Sequence, residues 1–190
     1  MRKIIYKTSI FLVCLLIFST CSILQQAKTL SNCTFDFAGV KHFKIANVSL
    51  YKINNINDIN LSDATQILTA LSKKKTDLSF DVIIKGNSPN KKAASIDKLE
   101  YIILLENQEI ISGELNEKFI IPAYGSSLIS INANIDALKI LNVKTLKNVY
   151  VLYQNISGNN SEKKSKISIK IKPTINNYSF PSFITINKQI

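Results

Sequence analysis

Apolar and polar side chains alternate through most of the chain between Leu78 and Ile135. Leu78, Phe80, Val82 and Ile84 fall on one side, with Ser79, Asp81 and Lys85 on the other. This period of two predicts a half-buried strand. Asn87-Ser88-Pro89-Asn90 must end it, because proline cannot donate to a ladder. Apolar runs resume around Ile96–Leu105 and Ile110–Leu115. Leu99, Tyr101, Ile103 and Leu105 alternate, while Ile102 and Leu104 make that strand apolar on both faces, which predicts a central place or a helix laid over it. Glu106-Asn107-Gln108 is the expected hairpin turn, and Gly113 marks a bulge or a close backbone approach. Phe119-Ile120-Ile121 stops at Pro122. After Ala123-Tyr124-Gly125-Ser126, a last clean alternation sets Ile129, Ile131, Ala133 and Ile135 against Ser130, Asn132 and Asn134.

The flanks follow the same grammar. Strands are expected over Thr34–Val40 and Phe43–Leu50, the second with a phase change that a bulge would produce. Asn54–Asn60 is a polar loop. The period then changes. Ala64, Ile67, Leu68 and Leu71 fall at i, i+3, i+4 and i+7, behind an N-cap at Ser62 and ahead of Lys73, Lys74 and Lys75, which suit the negative end of a helix dipole. One amphipathic helix packed on a sheet is predicted there. Asp136–Leu141 reads as one or two helical turns, and Val149, Val151 and Tyr153 as a strand. Gly158-Asn159-Asn160 with Lys163-Lys164 reads as an exposed turn. Ile167, Ile169 and Ile171 form a strand that Pro173 stops, and Phe180–Ile186 ends the domain. Short strands at regular spacing predict a mainly β protein: an antiparallel β-sandwich with one short amphipathic helix at about Ser62–Leu71.

The first 33 residues do not fit that pattern. Met1–Lys7 is basic, Ser9–Phe18 is almost wholly apolar, and Ser19-Thr20-Cys21 follows. This is the layout of a secretory signal, too short to span a bilayer. Phe18-Ser19-Thr20-Cys21 resembles a bacterial lipobox, in which the cysteine is acylated and becomes the mature N-terminus. Several acyl chains at about 0.8 kcal/mol per buried CH₂ make such an anchor stable. The expected organisation is a lipoprotein signal peptide over 1–20, an acylated Cys21 with a short unpatterned tether over 21–33, and the sandwich over 34–190. Cys14 lies inside the leader. Cys33 is expected to be a small buried hydrophobe. No acidic cluster follows Cys21. In Bacteroidetes-type bacteria such a cluster accompanies surface display, so the periplasmic face of the outer membrane is expected.

Composition adds limits. The chain has 190 residues and a formal charge of +11. Arg2, Lys3 and Lys7 supply three of the 24 basic side chains, so the rest stand at 21 against 13 acidic ones. The clusters Lys73–Lys75, Lys91-Lys92 and Lys163-Lys164 carry no interleaved aromatics to stack bases, and nucleic acid is not an expected partner. Lysines spaced along strands also guard sheet edges. The single histidine, His42, has no nearby Cys or His in the sequence, so no metal is expected. The five glycines form no phosphate loop, and the serines lack a nucleophile-elbow setting. Glu100, Glu106, Glu109, Glu114 and Glu117 cluster in sequence and read as a wet strand face rather than a catalytic acid pair. No catalytic residue and no cofactor are expected.

Residues 77–136 resemble the late-embryogenesis-abundant type 2 domain, also called the water-stress and hypersensitive-response domain. The likeness rests on the strand ending at Pro89-Asn90, on Ile96-Asp97-Lys98-Leu99-Glu100-Tyr101, on Ile110-Ile111-Ser112-Gly113 and on the break Ile121-Pro122-Ala123-Tyr124-Gly125. Ser88 stands where that family often has asparagine; serine makes the same local turn bond. Asn32-Cys33-Thr34, the helix and Phe180–Ile186 resemble a Bacteroidetes-like subgroup of such lipoproteins. The resemblance implies an immunoglobulin- or fibronectin-III-like sandwich associated with stress or desiccation, and no catalytic residues. The expected function is a non-enzymatic envelope lipoprotein, its partners the membrane through Cys21 and envelope proteins or lipids. A carrier of lipid or another apolar small molecule is the alternative, and needs an apolar cavity. A hydrolase would need a Ser or a Glu pair beside His42.

Overall fold

The computed structural model describes residues 24–49, 60–73, 77–136, 151, 154–155 and 164–190. Its strands are β1 (Thr34–Ile45), β2 (Val48–Ser49), β3 (Asp77–Asn87), β4 (Ala94–Ile96), β5 (Lys98–Leu105), β6 (Gln108–Leu115), β7 (Phe119–Ile121), β8 (Ser126–Asp136), β9 (Lys166–Ile175), β10 (Tyr178–Ser179) and β11 (Ile184–Gln189). Residues 24–31 form a helix, α1, and Leu61–Ser72 a second, α2.

Two antiparallel sheets face each other, as the alternation predicts. One has the order β2-β1-β3-β8; the other runs β10-β9-β5-β6, with β11 also paired to β9. A short β4–β7 ribbon joins them at one end. The inward side chains of β3 and β8 are closed off from water, as are those of β5 and β9. Phe80 stacks on Phe43 at 5.4 Å between ring centroids. Burying one such side chain contributes about 1.5–3 kcal/mol, so the interleaved isoleucines and phenylalanines of the two inner faces hold the fold. β5 lies between β9 and β6, which explains its apolar residues on both faces.

Several expectations need correction. The strands expected over Thr34–Val40 and Phe43–Leu50 are one long β1. Its register against β3 slips between Phe37 and Gly39, and again between Lys41 and Lys44. The later phase change is a hairpin at Ala46-Asn47 (φ 48° and 66°), which returns the chain as β2. β9 runs through Pro173 to Ile175. The Pro173 carbonyl accepts from Phe180 N. A strand residue's N and C=O point to the same side, so the missing N–H faces the gap between β10 and β11 and no bond to β5 is lost. Val151, the described residue of the strand expected over Val149–Tyr153, is helical, as are Gln154 and Asn155. Val149, Tyr150 and Tyr153 also fit helical spacing, and short apolar runs satisfy both periods. Gly113 is a close approach, not a bulge: a Cβ there would lie 2.7 Å from the Tyr101 hydroxyl. The bulge in that pair falls at Ile110 instead.

The tether expected over 21–33 is helical from residue 24 to 31, and its Leu30 is completely buried. α2 forms where expected, but its cap is Asn60, not Ser62: Asn60 Oδ1 accepts from Asp63 N at 2.8 Å and Asn60 Nδ2 donates to Asp63 Oδ2 at 2.9 Å. It does not lie over a sheet. It touches β2, and Leu61 and Leu68 stay exposed. Asp136, expected to open a helical turn, is the last residue of β8. The expectations for Met1–Cys21, Leu50, the loop residues Asn54–Ile59, Lys74-Lys75, Ala137–Leu141, Val149, Tyr153, Gly158-Asn159-Asn160 and Lys163 lie outside the described residues.

Candidate functional site

Asn90 is the joint of the end at which α1 docks. It follows Ser88-Pro89, where β3 must stop, and its side chain turns back towards the helix. Nδ2 donates to the Thr29 carbonyl at 2.8 Å and to Ser88 Oγ at 3.1 Å, and reaches Cys33 Sγ at 3.8 Å. Oδ1 accepts from Asn32 Nδ2, and the Asn90 carbonyl accepts from Tyr124 N at 3.0 Å. One side chain and its backbone thus tie together α1, the β3 turn and the loop after β7. The other end of α1 is held at the β9–β10 turn, where Asn176 Nδ2 donates to Gln26 Oε1. Asn176 N is itself taken by Asp97 Oδ2 at 2.8 Å.

Cys33 sits under this joint, buried, with its thiol donating to the Thr29 carbonyl. Burial pushes the thiol's pKa up, while the contacts from Ser88 and Asn90 pull it partly back. A thiol held protonated is a poor nucleophile. Beside it, Thr34, Asn87, Ser88, Pro89 and Tyr124–Ser126 line an open cleft of about 440 Å³. A second open depression, of about 330 Å³, lies between α2 and the β1–β2 turn.

His42 occupies the second slip of β1 with φ 52°. Its Nδ1 donates to Asp81 Oδ2 at 2.6 Å, because a carboxylate only accepts. Asn132 Nδ2 takes the other oxygen of Asp81 at 2.7 Å. The imidazole is 72 % exposed. Among the described residues no hydroxyl or thiol is bonded to His42, and no group of three or more His, Cys, Asp or Glu could hold a metal.

Three of the clustered acids, Glu100, Glu106 and Glu114, are held by lysines or backbone. Glu100 and Glu114 stand directly opposite across β5 and β6, an arrangement that like charges disfavour. Lys98 meets Glu114 at 2.5 Å and Lys172 faces Glu100 at 3.9 Å, which relieves it. The hydrogen bond from Lys98, helped by Asn116, holds the Glu114 carboxyl below its usual range. Glu106 Oε1 accepts from Lys166 N. Cys21 lies outside the described residues, three positions before α1 is first seen. Among the described residues no helix is long and apolar enough to cross a membrane.

Sequence reasoning found Cys33 and the turn at Ser88-Pro89-Asn90, but not that they meet α1. The available signal was Ile23, Ala27 and Leu30 at i, i+4 and i+7.

Known proteins add little to this geometry. No family model matches the chain, and no curated protein does. Among solved structures, one from Archaeoglobus fulgidus overlaps 60 % of this chain and 84 % of its own at 14 % identity, with a TM-score of 0.35. A solution structure from Arabidopsis thaliana overlaps 60 % and 70 % at 13 % identity, TM-score 0.42. A third, described as a candidate late embryogenesis abundant (LEA) protein, overlaps 98 % and 85 % at 9 % identity, TM-score 0.41. At these TM-scores the matches assign no family.

Proposed function

We propose that the chain is a non-enzymatic lipoprotein of the bacterial envelope, anchored through Cys21, whose β-sandwich acts as an interaction or stress-protection module. The observation that carries the reading is the basic start, the apolar run and Phe18-Ser19-Thr20-Cys21 in succession. The docking of α1 is compatible with it: three residues span at most about 10 Å, so an anchor at Cys21 would hold the sandwich close to the bilayer. The late-embryogenesis-abundant type 2 resemblance of residues 77–136 supports the stress association. A carrier of apolar molecules would need an enclosed cavity; the cleft beside Asn90 and the depression beside α2 are both open.

The test is metabolic labelling with a fatty acid. The wild type takes up label and Cys21→Ala does not; equal labelling of both sinks the anchor. Cells lacking the protein are expected to survive drying less well. Wild type restores survival and Cys21→Ala does not. Full rescue by Cys21→Ala would separate protection from anchoring.

A further inference from the structure

Large apolar side chains are exposed at the α1 end, although the same end has a well-filled interior. Leu24 is 68 % exposed, Tyr124 66 % and Ile120 55 %, and Tyr178 is also open to solvent. Hydrogen bonds place these residues together. Tyr124 bonds through its N–H to Asn90, Asn90 to Thr29, and Gln26 of the same helix to Asn176, two residues before Tyr178. Ile120 pairs with Ser95 in the ribbon that closes this end. Isolated exposed hydrophobes are ordinary, but several at one end mark a contact surface.

The charges at this end select the occupant. Lys28, Lys91, Lys92 and Lys118 are all exposed. The acids at this end are Glu117, Asp97, Asp36 and Glu114; Asp97 is engaged with Asn176 N, Asp36 with Asn87 Nδ2 and Glu114 with Lys98, which leaves Glu117 against four lysines. Aromatic and aliphatic side chains among lysines suit a bilayer interface, where apolar groups enter the headgroup boundary and lysines meet anionic lipid.

We infer that the α1 end is a membrane-seating face, which inserts Tyr124, Ile120 and Leu24 into the headgroup region of an anionic lipid surface. The inference rests on the anchor at Cys21 for its orientation, and adds that the sandwich stands on the bilayer by this end rather than swinging on a tether. α2, with exposed Leu61 and Leu68, is then at the far end of β3, away from the lipid.

The chain has no tryptophan, so a single indole reports its own position. Acylated Y124W, I120W and L68W would each be reconstituted into vesicles of phosphatidylcholine alone, or mixed with phosphatidylglycerol, carrying brominated acyl chains. Vesicle flotation in high salt reads the anchor separately from the indole. Expected is a blue shift and roughly halved emission for Y124W and I120W on phosphatidylglycerol vesicles, weaker quenching on phosphatidylcholine, and no quenching of L68W. Replacing Lys91 and Lys92 by glutamine in Y124W should bring its quenching on phosphatidylglycerol down to the phosphatidylcholine level. Unquenched Y124W and I120W on protein that still floats would overturn the seating face and leave the anchor standing. Protein that fails to float, yet shows quenched Y124W, would keep the face and remove the anchor. Equal quenching of all three indoles overturns it, because no end is then selected. A blue shift without quenching that grows with protein concentration overturns it in favour of a second copy on this face.

Discussion

At Asn90 one half-buried side chain serves α1, the β3 turn and Asn32 at once. Asn90→Ala leaves the Thr29 carbonyl with only the weak Cys33 thiol as donor and removes the acceptor of the Asn32 amide, and should cost about 0.5–1.5 kcal/mol in urea unfolding. Asn90→Asp removes the donor and sets a carboxylate against the Thr29 carbonyl, so its urea midpoint at neutral pH should fall at least as far. Cys33, under the same joint, makes a pH prediction. Its folded pKa is raised by burial. The unfolded chain therefore loses the thiol proton first as pH rises, and the folded state binds more protons. The stability from the buried thiol is fully present below about pH 8.5 and declines as pH climbs towards the raised folded value. Urea midpoints of wild type and Cys33→Ala should thus converge on the alkaline side; a constant difference from neutral to alkaline pH would refute the linkage.

The hairpins repeat one device. Ala46-Asn47, Glu106-Asn107 and Asn176-Asn177 each join paired strands by two residues with positive φ, the type I′ turn whose twist matches the strands. Asparagine tolerates that region; alanine is strained in it by about 1–2 kcal/mol. Glycine would relieve the strain but add unfolded-state entropy worth about 0.4–1 kcal/mol. Ala46→Gly should therefore raise stability by roughly 0.5–1 kcal/mol, read as a higher urea midpoint at unchanged slope. The central strands were legible because each alternates cleanly and is bounded by proline, glycine or asparagine. β1 was not, because its two slips reset the phase and mimic a strand break. Pro173 misled because the rule against proline holds only where its N–H would face a partner. α1 was hidden by its length and by presenting one fully buried side chain, Leu30. The joint around Asn90 could not be read at all: its bond to Thr29 spans 61 positions and ends on a backbone carbonyl, which every residue carries.

On the scale of the molecule, the two helices hold very different places. β3 alone, at about 3.3 Å per residue, spans roughly 36 Å between the α1 end and the α2 end. α1 closes its end with a buried leucine and hydrogen bonds to two separate turns. α2 has a good cap, but its described side chains are exposed or only partly covered, and its main partner among the strands is the two-residue β2. A twelve-residue helix is marginal on propensity alone, so packing must supply the rest. α2 therefore opens locally, while α1 opens only with the sandwich. Hydrogen exchange followed by mass spectrometry should show this order. Peptides from Leu61–Ser72 should exchange orders of magnitude faster than those from Leu78–Ile84 or Ile129–Ile135, and residues 24–31 should be protected with the strands. Leu68→Ser should leave the urea unfolding free energy within about 0.5 kcal/mol of wild type, while Leu30→Ala should cost about 2–5 kcal/mol. If Leu61–Ser72 were protected like the strands, or Leu68→Ser as damaging as Leu30→Ala, α2 would belong to the core. Among the described residues neither end would then open before the strands, and rigidity would run the full length of β3.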